Sequence, residues 1–153
     1  MKTGMIVLIV IIAIIVLIGI YIASTYNKYI KSRNTVDEAF STMDVYLKKR
    51  WDLIPNIVST VKGYAKHEAE TLEKVIAARN NGYSSLNTQQ KLQANAELGT
   101  AIKSLNVVAE QYPDLKANQN FMDLSAQLKK TEEDIANARK YYNAVVKQYN
   151  NLT

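Results

Sequence analysis

The stretch MIVLIVIIAIIVLIGIYIA, residues 5–23, decides the architecture. It carries no charge, and Ile, Val or Leu fills fourteen of its 19 positions. At 1.5 Å per residue, a helix of this length spans roughly 29 Å, close to the thickness of a bilayer's hydrocarbon core. Each aliphatic residue at the bilayer centre favours insertion by about 0.3 to 0.6 kcal/mol, so the fourteen together contribute at most roughly 4 to 8 kcal/mol. A cleaved signal peptide has a shorter apolar core and a small-x-small site. Here the run is longer, and Ala23-Ser24-Thr25-Tyr26 is a poor site. No second all-apolar segment exists to cover the run in a soluble core. The expectation is an uncleaved transmembrane anchor, with residues 1–25 as tail and anchor and residues 26–153 as a helical domain.

Flanking charge gives the expected orientation. Lys2 precedes the run; Lys28, Lys31 and Arg33 follow it, with Lys48, Lys49 and Arg50 farther on. This bias places the C-terminal side in the cytoplasm and a very short tail outside the cell's inner membrane.

Composition narrows the domain's class. With 5 Gly and 2 Pro in 153 residues, helix breakers are scarce, so long helices are expected and a many-turned β fold is not. The absence of Cys excludes disulfides, thiolate metal sites and a Cys nucleophile, and a single His excludes a two-His metal motif. The net charge of +5 is spread along the chain. It fits a solvated helical surface near an anionic membrane, and no clustered basic face suggests a nucleic-acid partner.

Four apolar stripes follow the anchor. Val36, Phe40, Met43 and Leu47 repeat at helical spacing, and no Gly or Pro occurs between Ser24 and Leu53, so the anchor is expected to run straight into the first soluble helix. Pro55 suits the first turn of a new helix with Asp52 as its N-cap, which puts a corner near Trp51. The second stripe runs from Ile54 through Val61 and Leu72 to Val75, and Asn80-Asn81-Gly82 closes it, Gly82 as a left-handed cap. Asn87 and Gln90 form a capping-box pattern ahead of a third stripe: Leu92, Ala96, Gly99, Ile102, Leu105, Ala109 and Tyr112. Pro113-Asp114 makes the next corner. In the last segment Phe121, Leu128, Ile135, Tyr142 and Tyr149 repeat every seven residues beside Leu124, Thr131, Ala138 and Val145, a coiled-coil-like seam. The expected fold is all-α: a transmembrane helix continuing into an up-down-up-down four-helix bundle, with helices at about 26–51, 53–81, 88–111 and 118–150.

Five blocks then resemble one family. They are Lys48-Lys49-Arg50-Trp51-Asp52-Leu53-Ile54-Pro55-Asn56-Ile57, Lys62-Gly63-Tyr64-Ala65-Lys66-His67-Glu68, Ala77-Ala78-Arg79-Asn80, Tyr112-Pro113-Asp114-Leu115 onward to Phe121, and Thr131-Glu132-Glu133-Asp134-Ile135 onward to Asn143. In this order they resemble the bacterial LemA family, from about Tyr26 to Tyr149, with the anchor matching as well. The resemblance implies a membrane-anchored helical bundle with a short external tail and no established catalytic activity. It also implies links to membrane protein quality control beside membrane zinc proteases and, in one branch, to magnetosome membranes. Relatives continue past the final Tyr-Asn with a Pro-containing hydrophobic tail. This sequence stops at Asn151-Leu152-Thr153, which leaves two readings open, a tail that is absent and a tail that has been cut away.

The residue patterns point to no chemistry. His67 and Glu68 are adjacent and diverge by about 100° on a helix, and no Glu-x-x-His pattern occurs for a carboxylate-bridged metal pair. No catalytic, cofactor-binding or metal-binding residue is therefore expected. Glu68, Arg79 and Arg139 are expected in buried ion pairs. Lys48, Lys49, Arg50 and Trp51 form a candidate docking tip, the bland alternative being cations at a helix C-terminus. Tyr26, Tyr142 and Tyr149 are interfacial anchors or an aromatic patch. The expected role is a non-enzymatic membrane scaffold or adaptor. Its partners would be the lipid bilayer and a protein, such as a membrane protease, with self-assembly of anchor and bundle as the alternative.

Overall fold

The computed structural model describes residues 2–79 and 82–152. Helices account for nearly all of them, with no strand among the described residues. Helix α1 spans Lys2–Tyr64, α2 Ala69–Arg79, α3 Thr88–Gln111, α4 Pro113–Lys116 and α5 Gln119–Asn150; a 3-10 turn covers Tyr83–Ser85. The chain forms two compact units, one of residues 1–39 with 141–153 and the other Phe40–Lys140.

In the first unit the apolar run is helical throughout, and its side chains are exposed from Met5 to Ile22. Ile and Val are mediocre helix formers in water. A helix nevertheless satisfies its own backbone hydrogen bonds along its whole length, and here it is unbroken from Lys2 to Tyr64, with no Gly or Pro between Ser24 and Leu53. The helix continues unbroken past Tyr26, as the absence of Gly and Pro predicts. Tyr29 on α1 meets Tyr149 on α5, with ring centroids 5.2 Å apart and the two hydroxyls hydrogen-bonded.

The second unit holds most of the core. Met43, Leu47, Trp51, Ile54, Val58 and Val61 are buried along α1 at spacings of 4, 4, 3, 4 and 3. The stripe therefore passes through Pro55 without interruption, and so does the helix. This corrects the expected corner near Trp51, along with the boundaries 26–51 and 53–81. Asp52 is no N-cap; it lies inside α1, where it accepts from Lys48 Nζ at 2.6 Å.

A proline inside a helix removes one amide donor and strands the carbonyl four residues back. For Pro55 that carbonyl belongs to Trp51, and Arg79 Nε donates to it at 3.2 Å. A side chain from the end of α2 thus replaces the missing amide, and continuous burial on both sides of Pro55 holds the helix together.

The real corner lies at residues 65–68. Gly63 weakens the last turn of α1, and the Glu68 amide folds back to the Ala65 carbonyl at 3.2 Å. The Glu68 carbonyl then receives the Leu72 amide at 3.1 Å and opens α2. Gly82 is not left-handed: its φ is −50°, and no described residue has positive φ. The expectation for Asn80 and Asn81 falls outside the described residues. The capping box at Asn87 and Gln90 forms with both reciprocal bonds at 2.9 Å. Pro113 occupies the first turn of α4. Asn118 caps α5 by accepting from the Phe121 amide at 3.0 Å, and its amide nitrogen donates to Tyr64 Oη at 2.9 Å.

Candidate functional site

The second unit's most elaborate side-chain cluster is built around Arg50 and Asp44, six residues apart on α1. Met43, Leu47 and Trp51 must face the core, and a helix stripe wide enough to carry them brings Arg50 in with them. Arg50 is 8% exposed. Its Nη2 donates to the Asn95 carbonyl on α3, and its Nη1 lies 3.9 Å from Glu132 Oε1 on α5. Gly99 makes room for it: a Cβ there would sit 3.2 Å from Arg50 Nη2. Burial lowers the guanidinium's pKa from its ordinary value; Glu132 opposes that shift and Arg139 adds to it. Arg50 Nε and Asn95 Oδ1 are buried without a hydrogen-bond partner among the described residues.

Asp44 joins two further elements to α1. Its Oδ1 accepts from Tyr83 Oη at 2.5 Å, and its Oδ2 accepts from Lys91 Nζ at 2.6 Å. Lys91 Nζ lies 4.9 Å from the Tyr83 ring centroid, a cation–π contact, and the Tyr83 ring tilts against Trp51 at 5.3 Å. Burial raises the Tyr83 phenol's pKa, and the bond to the Asp44 carboxylate raises it further. The phenol is therefore neutral at physiological pH and serves as a donor to Asp44. These groups are committed to one another, and what the arrangement does physically is lock α1 to the 3-10 turn and to α3. Among the described residues, no group of three or more His, Asp or Glu converges to hold a metal ion.

The expected site residues are scattered. Within the docking-tip block, Trp51 is buried and tilted against Tyr83, and Arg50 is enclosed by α3 and α5; neither is available to a partner. Lys49 is exposed, and Lys48 pairs with Asp52. The alternative, cations closing a helix, also fails because α1 continues to Tyr64. Glu68 is half-buried, and among the described residues it accepts from the Tyr112 hydroxyl at 3.3 Å in place of the expected cation. Arg79 serves a carbonyl in place of a carboxylate, and Arg139 is exposed. In the first unit Tyr26 is exposed, Tyr142 is half-buried, and Tyr149 pairs with Tyr29, one turn beyond Tyr26.

Asp44, Tyr83, Lys91 and Asn95 had no signal in the apolar periodicity. Asn95 sits among the buried residues of α3, where the core face starts with Ala94 and Leu98 in place of the expected Leu92, Ala96 and Gly99, and continues through Ile102, Leu105 and Ala109 as expected. A lone Gly at position 99, inside an otherwise strong helix former, was the one local hint that another group comes close.

Comparison with known proteins bears on this whole second unit. The LemA family profile matches residues 39–153. Protein LemA of Metamycoplasma hominis is 24% identical over 125 residues, which make up 81% of this chain and 57% of the relative. The chain thus spans a little over half the length of that curated relative.

Proposed function

The chain belongs to the LemA family, and from that premise we propose that it is a membrane-anchored, non-enzymatic scaffold that presents a rigid helical unit to a partner protein. The observation that carries this is the changing face of one helix. From Met5 to Ile22 α1 exposes an unbroken apolar surface, and from Met43 to Val61 the same helix supplies the buried stripe of the second unit. The exposed part is long and apolar enough to cross a bilayer. In this account it does so with the C-terminal side in the cytoplasm, on the bias of Lys28, Lys31 and Arg33.

The non-enzymatic role is supported by the ties of Asp44 to Tyr83 and Lys91 and of Arg50 Nη2 to the Asn95 carbonyl, which hold elements of the second unit together. The partner is a membrane protein, and a role in membrane protein quality control beside a membrane protease suits a scaffold of this kind. Crosslinking of the full chain in its native membrane, followed by mass spectrometry, tests this. A partner recovered reproducibly and retained on dilution is the expected result. Crosslinks between copies of the chain alone would replace the scaffold with a self-assembling membrane organiser.

A further inference from the structure

Two grooves meet on the first unit where the apolar run gives way to charge. One, of about 360 Å³, is walled by Tyr21, Ile22, Tyr29 and Leu152 among others. The other, of about 400 Å³, is walled chiefly by Lys28, Lys31, Ser32 and Leu152. Lys28 and Leu152 line both, so the grooves form one trough. Tyr21, Thr25, Lys28, Ser32 and Thr35 recur on α1 at spacings of 4, 3, 4 and 3, which places them on a single helix face. The Tyr29–Tyr149 contact holds α5 beside it.

The trough is ordered like a phospholipid. Its apolar end continues the exposed face of residues 5–23, and its polar end offers two ammonium groups and the hydroxyls of Ser32 and Thr35, with no Asp or Glu side chain among the described residues of the lining. Lys28 is the first charge after Lys2, so the change from apolar to cationic falls where a bilayer changes from acyl chain to headgroup. We propose that this trough binds one anionic phospholipid of the surrounding membrane. An acyl chain lies against Tyr21, Ile22 and Leu152, and the phosphate sits on Lys28 and Lys31 with Ser32 donating its hydroxyl. The proposal rests on the membrane-anchor account above.

Native mass spectrometry of the full chain in detergent, titrated with dioleoylphosphatidylglycerol or with dioleoylphosphatidylcholine, tests it. The expected result is one saturable phosphatidylglycerol adduct in preference to phosphatidylcholine. K28Q and K31Q should each weaken it about 5-fold and together roughly 25-fold. R33Q removes a charge from the same unit outside the trough and should leave the adduct in place.

The site is overturned if adducts accumulate without saturating, if R33Q costs as much as K31Q, if water-soluble glycerol phosphate competes as well as the lipid, or if a second polypeptide is retained there in place of lipid. Alkaline extraction from membranes separates this from the anchor. Wild type and K28Q/K31Q both staying in the membrane pellet while the adduct fails to discriminate removes the lipid site alone. Release of wild type into the supernatant removes the anchor and the site together.

Discussion

Arg79 Nε–H donates to the Trp51 carbonyl across 3.2 Å, and that carbonyl is the one Pro55 leaves without an amide. A side chain 24 residues after the proline therefore keeps α1 a single helix from Lys2 to Tyr64. The bond couples the two positions. Arg79→Met should destabilise the chain by about 1.5 kcal/mol or more, as loss of a charged donor to a half-buried carbonyl does. In a Pro55→Ala background residue 55 has its own amide, and the same substitution should cost about 1 kcal/mol less. Thermal unfolding of the four chains in detergent, followed by circular dichroism, measures the coupling; equal costs in both backgrounds would contradict it.

Gly99 and Arg50 should show a reversal of sign. Gly to Ala inside a helix ordinarily gains about 0.5 to 1 kcal/mol. Here the new Cβ would crowd the guanidinium to 3.2 Å while Arg50 is held by the Asn95 carbonyl. Gly99→Ala should therefore be destabilising in the wild type and stabilising by the ordinary amount in an Arg50→Met chain. Denaturant unfolding of both pairs checks this.

Tyr83 gives the second unit a dependence on alkaline pH. Its folded pKa is raised, first by burial and then by the hydrogen bond to Asp44. An unfolded tyrosine titrates near 10. The unfolded chain thus releases this proton first, so the contribution is complete below about pH 10 and is lost as pH rises above it. The stability difference between wild type and Tyr83→Phe should be constant from pH 7 to 9 and shrink by pH 11. A difference that holds steady to pH 11 would show that the phenol is not held neutral by folding.

How far the sequence foretold the molecule depends on the range of the interaction involved. The apolar helix was legible because hydrophobicity over residues 5–23 is a local property, and the capping box at Asn87 was legible because both bonds lie within three residues. The seam of α5 was largely legible too: Phe121, Leu128, Thr131, Ile135 and Val145 are buried. Pro55 misled because its local preference is to start a helix. What overrides it is the stripe from Leu47 to Val61 and the distant Arg79. Arg50 and Trp51 looked like a surface tip only while a corner was placed beside them; in mid-helix they fall on the buried face.

Topology has a direct handle. Gly82 is exposed, its φ of −50° suits any residue, and an added Cβ meets only Ser85 Oγ at 3.5 Å. With no native Cys, Gly82→Cys introduces a single thiol. In intact cells an impermeant maleimide should leave it unlabelled, and permeabilisation should expose it; labelling of intact cells would reverse the orientation.

The continuity of α1 from the apolar run to the buried stripe is what everything else requires, and hydrogen–deuterium exchange of the full chain in lipid nanodiscs measures it. Amides of residues 5–23 should be protected by the bilayer, with protection extending unbroken through residues 24–64, including the turn around Pro55. Rapid exchange at residues 24–28 or 52–56, or unprotected amides at residues 5–23, would contradict the account.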